Sequence, residues 1–160
     1  MVKKKAKFLG NFVETLLPVK TGDVLELDEQ WSFVGSKKTQ YWLWIALCRR
    51  TMQVVAYHLG ERTIESFDEF YKKIPADYAG CLSKSDQWQG YKRIYKWYHK
   101  RCRKKEGQTN CVEGFNNILR QRIARLTRKT CAFSKSKEMH DAVIKIFLHE
   151  YNNELKSVKC

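Results

Sequence analysis

The feature that most constrains the fold is a run of eight consecutive apolar residues, YWLWIALC, at positions 41–48. A short apolar run without polar interruption is typical of a β-strand that is covered by other structure on both faces. The run is much shorter than the roughly 20 apolar residues that a membrane-spanning helix needs. We therefore predict a buried strand here, in a sheet with packing layers on both sides.

Further β-rich stretches flank this run. VLELDEQWSFVG at residues 24–35 predicts a strand, GSKKTQ predicts a turn, and QVVAYHLG at residues 53–60 predicts a third strand. Because the links between them are short, we expect the three strands to form an antiparallel meander. Apolar residues at helical spacing then predict a helix over residues 63–74, ended by Pro75, and a weaker strand follows over residues 79–85.

The last third of the chain carries two helical patterns. Apolar residues recur every three or four positions over residues 112–126 and again over residues 139–151, with Ser134 or Ser136 as the cap of the second helix. The predicted order is β-β-β-α-β-α-β-α. For a chain of 160 residues, this order predicts one α/β domain, a mixed sheet flanked by helices. We place that domain at residues 24–160, after a basic N-terminal extension at residues 1–23.

Positive charge is concentrated in the second half of the chain. Residues 1–80 hold twelve Lys and Arg against ten Asp and Glu, whereas residues 81–160 hold nineteen against seven. Two stretches, residues 92–105 and 114–137, carry eight and seven basic residues and no acidic one. Aromatic residues are interleaved with these charges, which favours a folded surface for nucleic acid. The simpler alternative is a solvated basic face.

Three acids stand out by their positions as candidates for nucleic-acid chemistry. Asp28 lies in the first predicted strand, Asp86 follows the fourth, and Glu113 begins a helix. Carboxylates are the ligands that hard divalent cations prefer. The structural alternatives are a polar strand face for Asp28 and a turn for Asp86. Strand alternation instead singles out Glu29 as the acid among apolar neighbours, so periodicity alone does not select Asp28.

Glu113 has two interpretations of its own. The spacing Asn110-x-x-Glu113 fits a capping box, in which Asn110 caps the helix and Glu113 is its third residue. Alternatively, Glu113 shares a helix face with Asn117 and Arg120 at i, i+4 and i+7, which would present all three to a common site. The six cysteines include no Cys-x-x-Cys pair, so a zinc site is the weaker metal hypothesis.

Four segments of the chain resemble the IS1-family insertion-sequence transposases, and they occur in the family's order: LELDEQWSFVGSKK, HLGERT, SDQWQGY and VEGFNNILRQRIARLTRKTCAFSKSKEMHDAVI. The resemblance covers about residues 25–151. It implies an RNase H-like fold and an Asp-Asp-Glu catalytic triad. Matched segment by segment, the triad is Asp28 of LDEQW, Asp86 of SDQW and Glu113 of VEGFNN. Complete members carry an N-terminal DNA-binding region that residues 1–23 are too short to supply, so the chain resembles the catalytic part.

The resemblance also implies a mechanism and partners. The triad would hold two Mg²⁺ ions, with Mn²⁺ as a substitute, for hydrolysis of DNA at element ends and 3′-OH strand transfer into target DNA. The partners implied are double-stranded DNA and further copies of the chain for synapsis, with no membrane, at the nucleoid in a prokaryotic cytoplasm. Five basic residues would neutralise DNA phosphates without reading bases: Arg120, Arg122, Arg125, Arg128 and Lys129.

Rival classes fit the residues to different degrees. A tyrosine recombinase would need a His followed three residues later by Arg, which none of the four histidines offers, and a His-x-His metal nuclease motif is absent. A basic DNA-binding module of the same fold, non-enzymatic or inactivated, explains the charge equally well. In its non-enzymatic form it predicts that the three acids lie apart.

Overall fold

The computed structural model describes residues 1–127 and 129–159. The chain forms a five-stranded mixed sheet with helices, in the order α1-β1-β2-β3-α2-α3-β4-β5-α4-α5 with short 3₁₀ helices between some of them. The strands are β1 (Val24–Val34), β2 (Ser36–Cys48), β3 (Val54–Gly60), β4 (Leu82–Ser85) and β5 (His99–Arg101). The helices are α1 (Val2–Lys7), α2 (Ile64–Tyr71), α3 (Ala76–Ala79), α4 (Asn110–Arg122) and α5 (Lys137–Lys159).

The sheet has the spatial order β3-β2-β1-β4-β5. The first three strands form the predicted antiparallel meander, and β4 and β5 are added in parallel to β1. The apolar run lies in the middle of this sheet, and its residues 43–48 are fully buried. The prediction of a strand covered on both faces is confirmed.

Two apolar layers cover the sheet. On one face, Trp44 and Ala46 of β2 pack with Phe67 and Phe70 of α2. On the other face, the alternate apolar side chains of β2 pack against α4 and α5. The residues of this layer include Leu43, Ile45, Leu47, Val112, Phe115, Leu119, Ile144 and Leu148. Because side chains alternate along a strand, one uninterrupted apolar sequence supplies both layers.

The N-terminal residues lie against the last helix. In α1, Lys5 Nζ forms an ion pair with Glu150 Oε1 at 2.6 Å. Thr15, in the 3₁₀ helix Phe12–Thr15, accepts a hydrogen bond at Oγ1 from Asn152 Nδ2 at 3.0 Å. The helix α5 therefore contacts both the sheet and residues 1–23.

Several predicted boundaries are wrong. Residues 36–40, predicted as a turn, are assigned to β2 after Gly35, whose φ is 70°, although the register with β1 shifts here from Phe33 opposite Gln40 to Val34 opposite Ser36. Their polar composition reflects a hairpin that extends beyond the core into solvent. The helix predicted to end at Pro75 ends at Tyr71, and the strand predicted over residues 79–85 is only β4, preceded by α3.

The predicted element order also needs correction. No α-helix separates β4 from β5: a 3₁₀ helix, Gln89–Arg93, occupies that position, and two α-helices follow β5. The helix predicted over residues 112–126 ends at Arg122, and Leu126 packs from a separate 3₁₀ helix, Ala124–Leu126. Ser136 is the residue that caps α5, since its Oγ accepts a hydrogen bond from Met139 N at 3.3 Å.

Candidate active site

The register between β1 and β4 brings two of the predicted acids together. The parallel pairing runs Val24↔Leu82, Leu25↔Ser83 and Glu26↔Lys84. Parallel strands advance residue by residue, so two further steps bring Asp28 level with Asp86, which directly follows β4. The 58 residues that separate these acids in sequence are thus bridged by a single strand pairing.

Helix α4 is held against the same strand by two polar contacts. Glu26 of β1 accepts a hydrogen bond at Oε2 from Val112 N at 2.9 Å, which satisfies one of the amides left open at the start of α4. One turn further on, Asn116 Nδ2 donates to Asp28 Oδ2 at 2.7 Å. These contacts fix the N-terminal half of α4 over β1, and Glu113 lies between them on the helix.

Asp28, Asp86 and Glu113 line one cleft with a volume of about 580 Å³. Asn117 and Arg120 line it as well, so the predicted face at i, i+4 and i+7 of α4 does point to one site. The cleft is completed by Glu29, Gln87, Cys102, Thr109 and Asn116. The structure therefore brings together the three acids that a purely structural role would leave apart.

Asp86 and Glu113 are each oriented by a neighbour. Asp86 Oδ1 accepts a hydrogen bond from Trp88 N at 2.8 Å, which is the turn predicted for this residue. Glu113 Oε1 accepts from the Thr109 hydroxyl at 3.1 Å. The predicted capping box is wrong, because Asn110 is already the first residue of α4 and Thr109 occupies the cap position.

The environment of Asp28 disfavours its ionised form. Burial, followed by the negative charge of Glu29 and then that of Asp86 and Glu113, raises the pKa of Asp28 to about 7. A hydrogen bond from the backbone of Glu29 acts in the opposite direction. Carboxylates that repel one another in this way are common at functional sites, where a cation or a proton offsets the charge.

Glu29 is the acid that strand alternation singled out, and its partners explain its position on the apolar face. Arg62 donates to Glu29 Oε1 from Nε at 2.9 Å and from Nη2 at 2.6 Å, and the Tyr91 hydroxyl donates to Oε2 at 2.8 Å. Burial is nevertheless the largest effect on Glu29 and raises its pKa. Glu29 thus adds negative charge to the cleft while its own oxygens are engaged on the other side of β1.

The face of β1 that carries Asp28 is polar, as predicted, but it is not a solvated face. Glu26, Gln30 and Ser32 on this face are all buried. The helices α4 and α5 cover them, because Glu26 bonds to Val112 N and the Ser32 hydroxyl lies 3.0 Å from His140 Nε2. A buried polar strand face beside a cleft was not evident from the alternation.

The donor set of the cleft suits a hard divalent cation. Four carboxylates and the side-chain amides of Asn116 and Asn117 line it, and oxygen ligands of this kind are those that Mg²⁺ and Mn²⁺ take. Within residues 1–127 and 129–159, no three His, Cys, Asp or Glu side chains form a ready-made metal site. A cation would therefore bind here only if side-chain movement drew the carboxylates closer together, and it would relieve the unfavourable charge at Asp28.

The predicted DNA-binding residues are divided between two surfaces. Arg120 lines the cleft, whereas Arg122 and Arg125 line a second cavity of about 790 Å³ between α1, α5 and the segment after α4. Arg122 lies over the Phe147 ring at 5.2 Å and 3.9 Å from Glu154. Lys129 is exposed, and Arg128 lies outside the described residues.

Among the described residues, no helix is long and apolar enough to span a lipid bilayer.

Comparison with known proteins identifies the family. Residues 23–153 match the family described as IS1 transposase. The InsB protein of insertion element iso-IS1n from Shigella dysenteriae is 43% identical over 131 residues, covering 80% of this chain and 95% of that protein. InsB of IS1 4 from Escherichia coli (strain K12) is 38% identical, covering 78% and 72%, and InsB of IS1 from Shigella flexneri is 37% identical, covering 78% and 92%. The resemblance inferred from the four segments is confirmed, and the chain belongs to the IS1 transposase family.

Proposed function

We propose that this chain is a DDE transposase whose catalytic residues are Asp28, Asp86 and Glu113. It hydrolyses a phosphodiester at each end of a mobile element. The freed 3′-OH then attacks a phosphodiester of target DNA, which joins the element to the target and releases the 3′-oxygen of the target strand. The observation that carries this proposal is the common cleft of three acids drawn from β1, from the end of β4 and from α4. A non-enzymatic basic module has no need to bring like charges together at an energetic cost.

The fold and domain limits belong to the same proposal. Three antiparallel strands, two parallel strands added beside β1 and helices on both faces are compatible with an RNase H-like catalytic domain at residues 24–160. Residues 1–23 would then be a basic extension that supports α5 rather than contributing to the cleft.

The three acids would hold two Mg²⁺ ions, which supply activation of the attacking oxygen and charge stabilisation of the leaving oxygen. The chain's own groups orient these ligands. Asn116 Nδ2 holds one oxygen of Asp28, Trp88 N holds one oxygen of Asp86, and the Thr109 hydroxyl holds one oxygen of Glu113. Each hydrogen bond fixes one oxygen of a carboxylate and so orients the other oxygen of the same group, as hydrogen bonds to metal ligands commonly do.

DNA binding follows from the charge around the cleft. Arg120 would neutralise a phosphate next to the scissile bond, and Arg122, Arg125, Arg128 and Lys129 would contact the flanking duplex. Joining two element ends to one target requires at least two active sites, so the active species is a homo-oligomer on double-stranded DNA. Its place of action is the bacterial nucleoid.

The test uses the full chain and a duplex that carries the inverted repeats flanking its gene, with Mg²⁺ or Mn²⁺. We expect Asp28→Asn, Asp86→Asn and Glu113→Gln each to lower strand cleavage and joining by about 10³-fold or more, because groups that act as one unit fail together. Asp77→Asn is the matched control, since Asp77 is an exposed acid of α3. It should leave both reactions unchanged.

Cleavage and DNA affinity, measured on the same proteins, together separate the proposal from its alternative. Removing a negative charge from the cleft should maintain or strengthen duplex binding while cleavage is lost. Cleavage that survives in Glu113→Gln would remove that residue from the triad. If the wild-type chain binds the duplex but cleaves it with neither metal, the inactive DNA-binding module of the same fold takes the place of the enzyme.

A further inference from the structure

Three aromatic side chains are displayed to solvent in the segment between the second and third acids. Tyr95, Trp97 and Tyr98 are 64%, 71% and 51% exposed, whereas the preceding Tyr91 is fully buried. We call residues 95–98 the aromatic turn. Three neighbouring aromatics on one short surface turn form an apolar patch of the kind that marks a binding surface.

The aromatic turn is firmly anchored at both ends. Ile94 and His99 on either side are buried, and Tyr98 N donates to Tyr95 O at 2.9 Å across the turn. The His99 ring lies between two hydroxyls of β4, with Nδ1 2.7 Å from Ser83 Oγ and Nε2 3.0 Å from Ser85 Oγ. An anchored turn presents its rings with little conformational entropy left to lose on binding.

The charge around the aromatic turn indicates an anionic partner. Residues 92–105 include eight Lys and Arg and no acid. Lys96 Nζ lies 5.8 Å from the centroid of the Trp97 ring, and Lys100, Arg103 and Lys105 are exposed beyond it. Lysines on an edge strand can serve only to prevent pairing with another chain. That role does not explain aromatic side chains exposed beside them. Aromatic faces among cations are the combination that binds unpaired nucleic acid, because each base offers a face for stacking.

The position of the turn relates it to the cleft. The turn leads into β5, the edge strand of the sheet, which runs parallel to β4 and ends next to Cys102 in the lining of the cleft. Tyr98 and Cys102 are four positions apart, which is about 13 Å of extended chain. Lys100 and Arg101 lie between these two residues, so positively charged side chains extend from the aromatic turn to the proposed site of cleavage.

We propose that the aromatic turn and the basic side chains of β5 form a binding surface for unpaired DNA, on which bases stack against Trp97 and the two tyrosines. The identity of this unpaired DNA rests on the proposed function: during cleavage, it would be the DNA strand that separates from its complement beside the cleft. The binding itself requires no catalysis.

The test compares the affinity of the full chain for a single-stranded oligothymidylate and for a duplex of equal length, at fixed salt, by fluorescence anisotropy. We expect Trp97→Ala to weaken single-strand binding about 10-fold and duplex binding less than about 2-fold, since stacking is lost but phosphate contacts remain. Trp97→Phe, which keeps a ring, should recover most of the affinity. Phe8→Ala is the matched control, because Phe8 is 79% exposed and lies outside this surface.

Each contrary result overturns the inference in a distinct way. An equal loss for single strand and duplex would mean that the segment contacts phosphates only. No loss of DNA binding, with a change in sedimentation of Trp97→Ala, would make the patch a contact between copies of the chain. The wild-type chain separates the two proposals: if it binds the single strand through Trp97 but cleaves the element ends with neither Mg²⁺ nor Mn²⁺, the catalytic proposal fails while this inference stands.

Discussion

Two pairs of buried amides lie in different regions of the molecule, and their hydrogen bonding differs. At the contact between β3, α5 and the 3₁₀ helix Phe12–Thr15, Gln53 and Asn152 are completely buried and bonded through every side-chain polar atom. Beside the cleft, Gln30 and Asn116 are 1% and 5% exposed. Among the described residues, however, neither polar atom of Gln30 nor Oδ1 of Asn116 has a hydrogen-bond partner.

This difference indicates that the Gln53–Asn152 network stabilises the fold, whereas the polar groups beside the cleft do not. A buried polar group that lacks a partner costs about 1–3 kcal/mol, and a protein selected for stability alone would lose such groups. Next to these amides, Asp28 is held among other carboxylates that disfavour its charge. Asn116 Oδ1 and the mutually repelling carboxylates line the same cleft, where a bound cation would supply the missing interactions, whereas Gln30 and the similarly unbonded Nε2 of His149 lie outside its lining.

The largest expected effect comes from breaking the satisfied pair. Gln53→Met removes the hydrogen bonds that join Gln53 to Leu17 N, Thr15 O and Asn152 O. These backbone groups, which are buried or partly buried, then lose the partner that Gln53 provided. We expect a loss of about 4 kcal/mol in the free energy of unfolding. Urea denaturation measures it. A loss below about 1 kcal/mol would show that this network does not stabilise the fold.

A smaller effect, of opposite sign, is expected at Asp28. Its pKa is about 7 in the folded chain against an ordinary value of 3.8, so the unfolded state releases its proton first and stability falls as the pH rises from about 4 to about 7. Asp28→Asn removes this penalty. The full pKa difference corresponds to about 4 kcal/mol. Because Asp28 is partly exposed, we expect the variant, in the presence of a chelator, to be about 3 kcal/mol more stable than wild type at pH 8 and equally stable at pH 4.

Thermal unfolding of both proteins across this pH range measures the difference. An advantage of Asp28→Asn that does not change with pH would contradict the account, because it would have to come from packing rather than charge. Asp77→Asn, at an exposed position, should show no advantage at either pH.

The smallest effect is expected when the same change, Gln to Met, is made at the unsatisfied amide beside the cleft. Gln30→Met removes two polar atoms that have no partner among the described residues and keeps the length of the side chain. We expect a gain of about 1 kcal/mol, measured by urea denaturation beside Gln53→Met. A loss comparable to that of Gln53→Met would mean that Gln30 makes bonds essential to the fold.

The sequence predicted the sheet better than its edges. The apolar run at residues 41–48 and its two neighbouring strands were placed correctly because burial on both faces leaves an unambiguous pattern. A fifth strand was expected in the element order but could not be given bounds, because the three residues of β5, HKR, carry no alternation and pair only with β4. The polar hairpin of residues 36–40 was taken for a turn because exposed strands and turns have similar compositions.

The site could be predicted only in part from the pattern of the residues. Asp28 was nominated by resemblance, since alternation pointed to Glu29, and the contacts of Glu29 with Arg62 and Tyr91 were not evident from sequence. The cleft itself depends on the β1–β4 register and on Glu26, a buried acid that bonds to the first turn of α4. Contacts across 58 and 86 residues leave no local signal.

The most direct test of the account is a crystal of the full chain soaked in Mn²⁺ at pH 8, above the pKa of Asp28, with anomalous data collected. We predict anomalous density in the cleft, with oxygens of Asp28, Asp86 and Glu113 within metal-ligand distance, and its loss in crystals of Asp28→Asn. Three carboxylates that stay apart around a cleft without anomalous density, in crystals that bind Mn²⁺ elsewhere, would contradict the claim that this cleft is a metal-dependent active site.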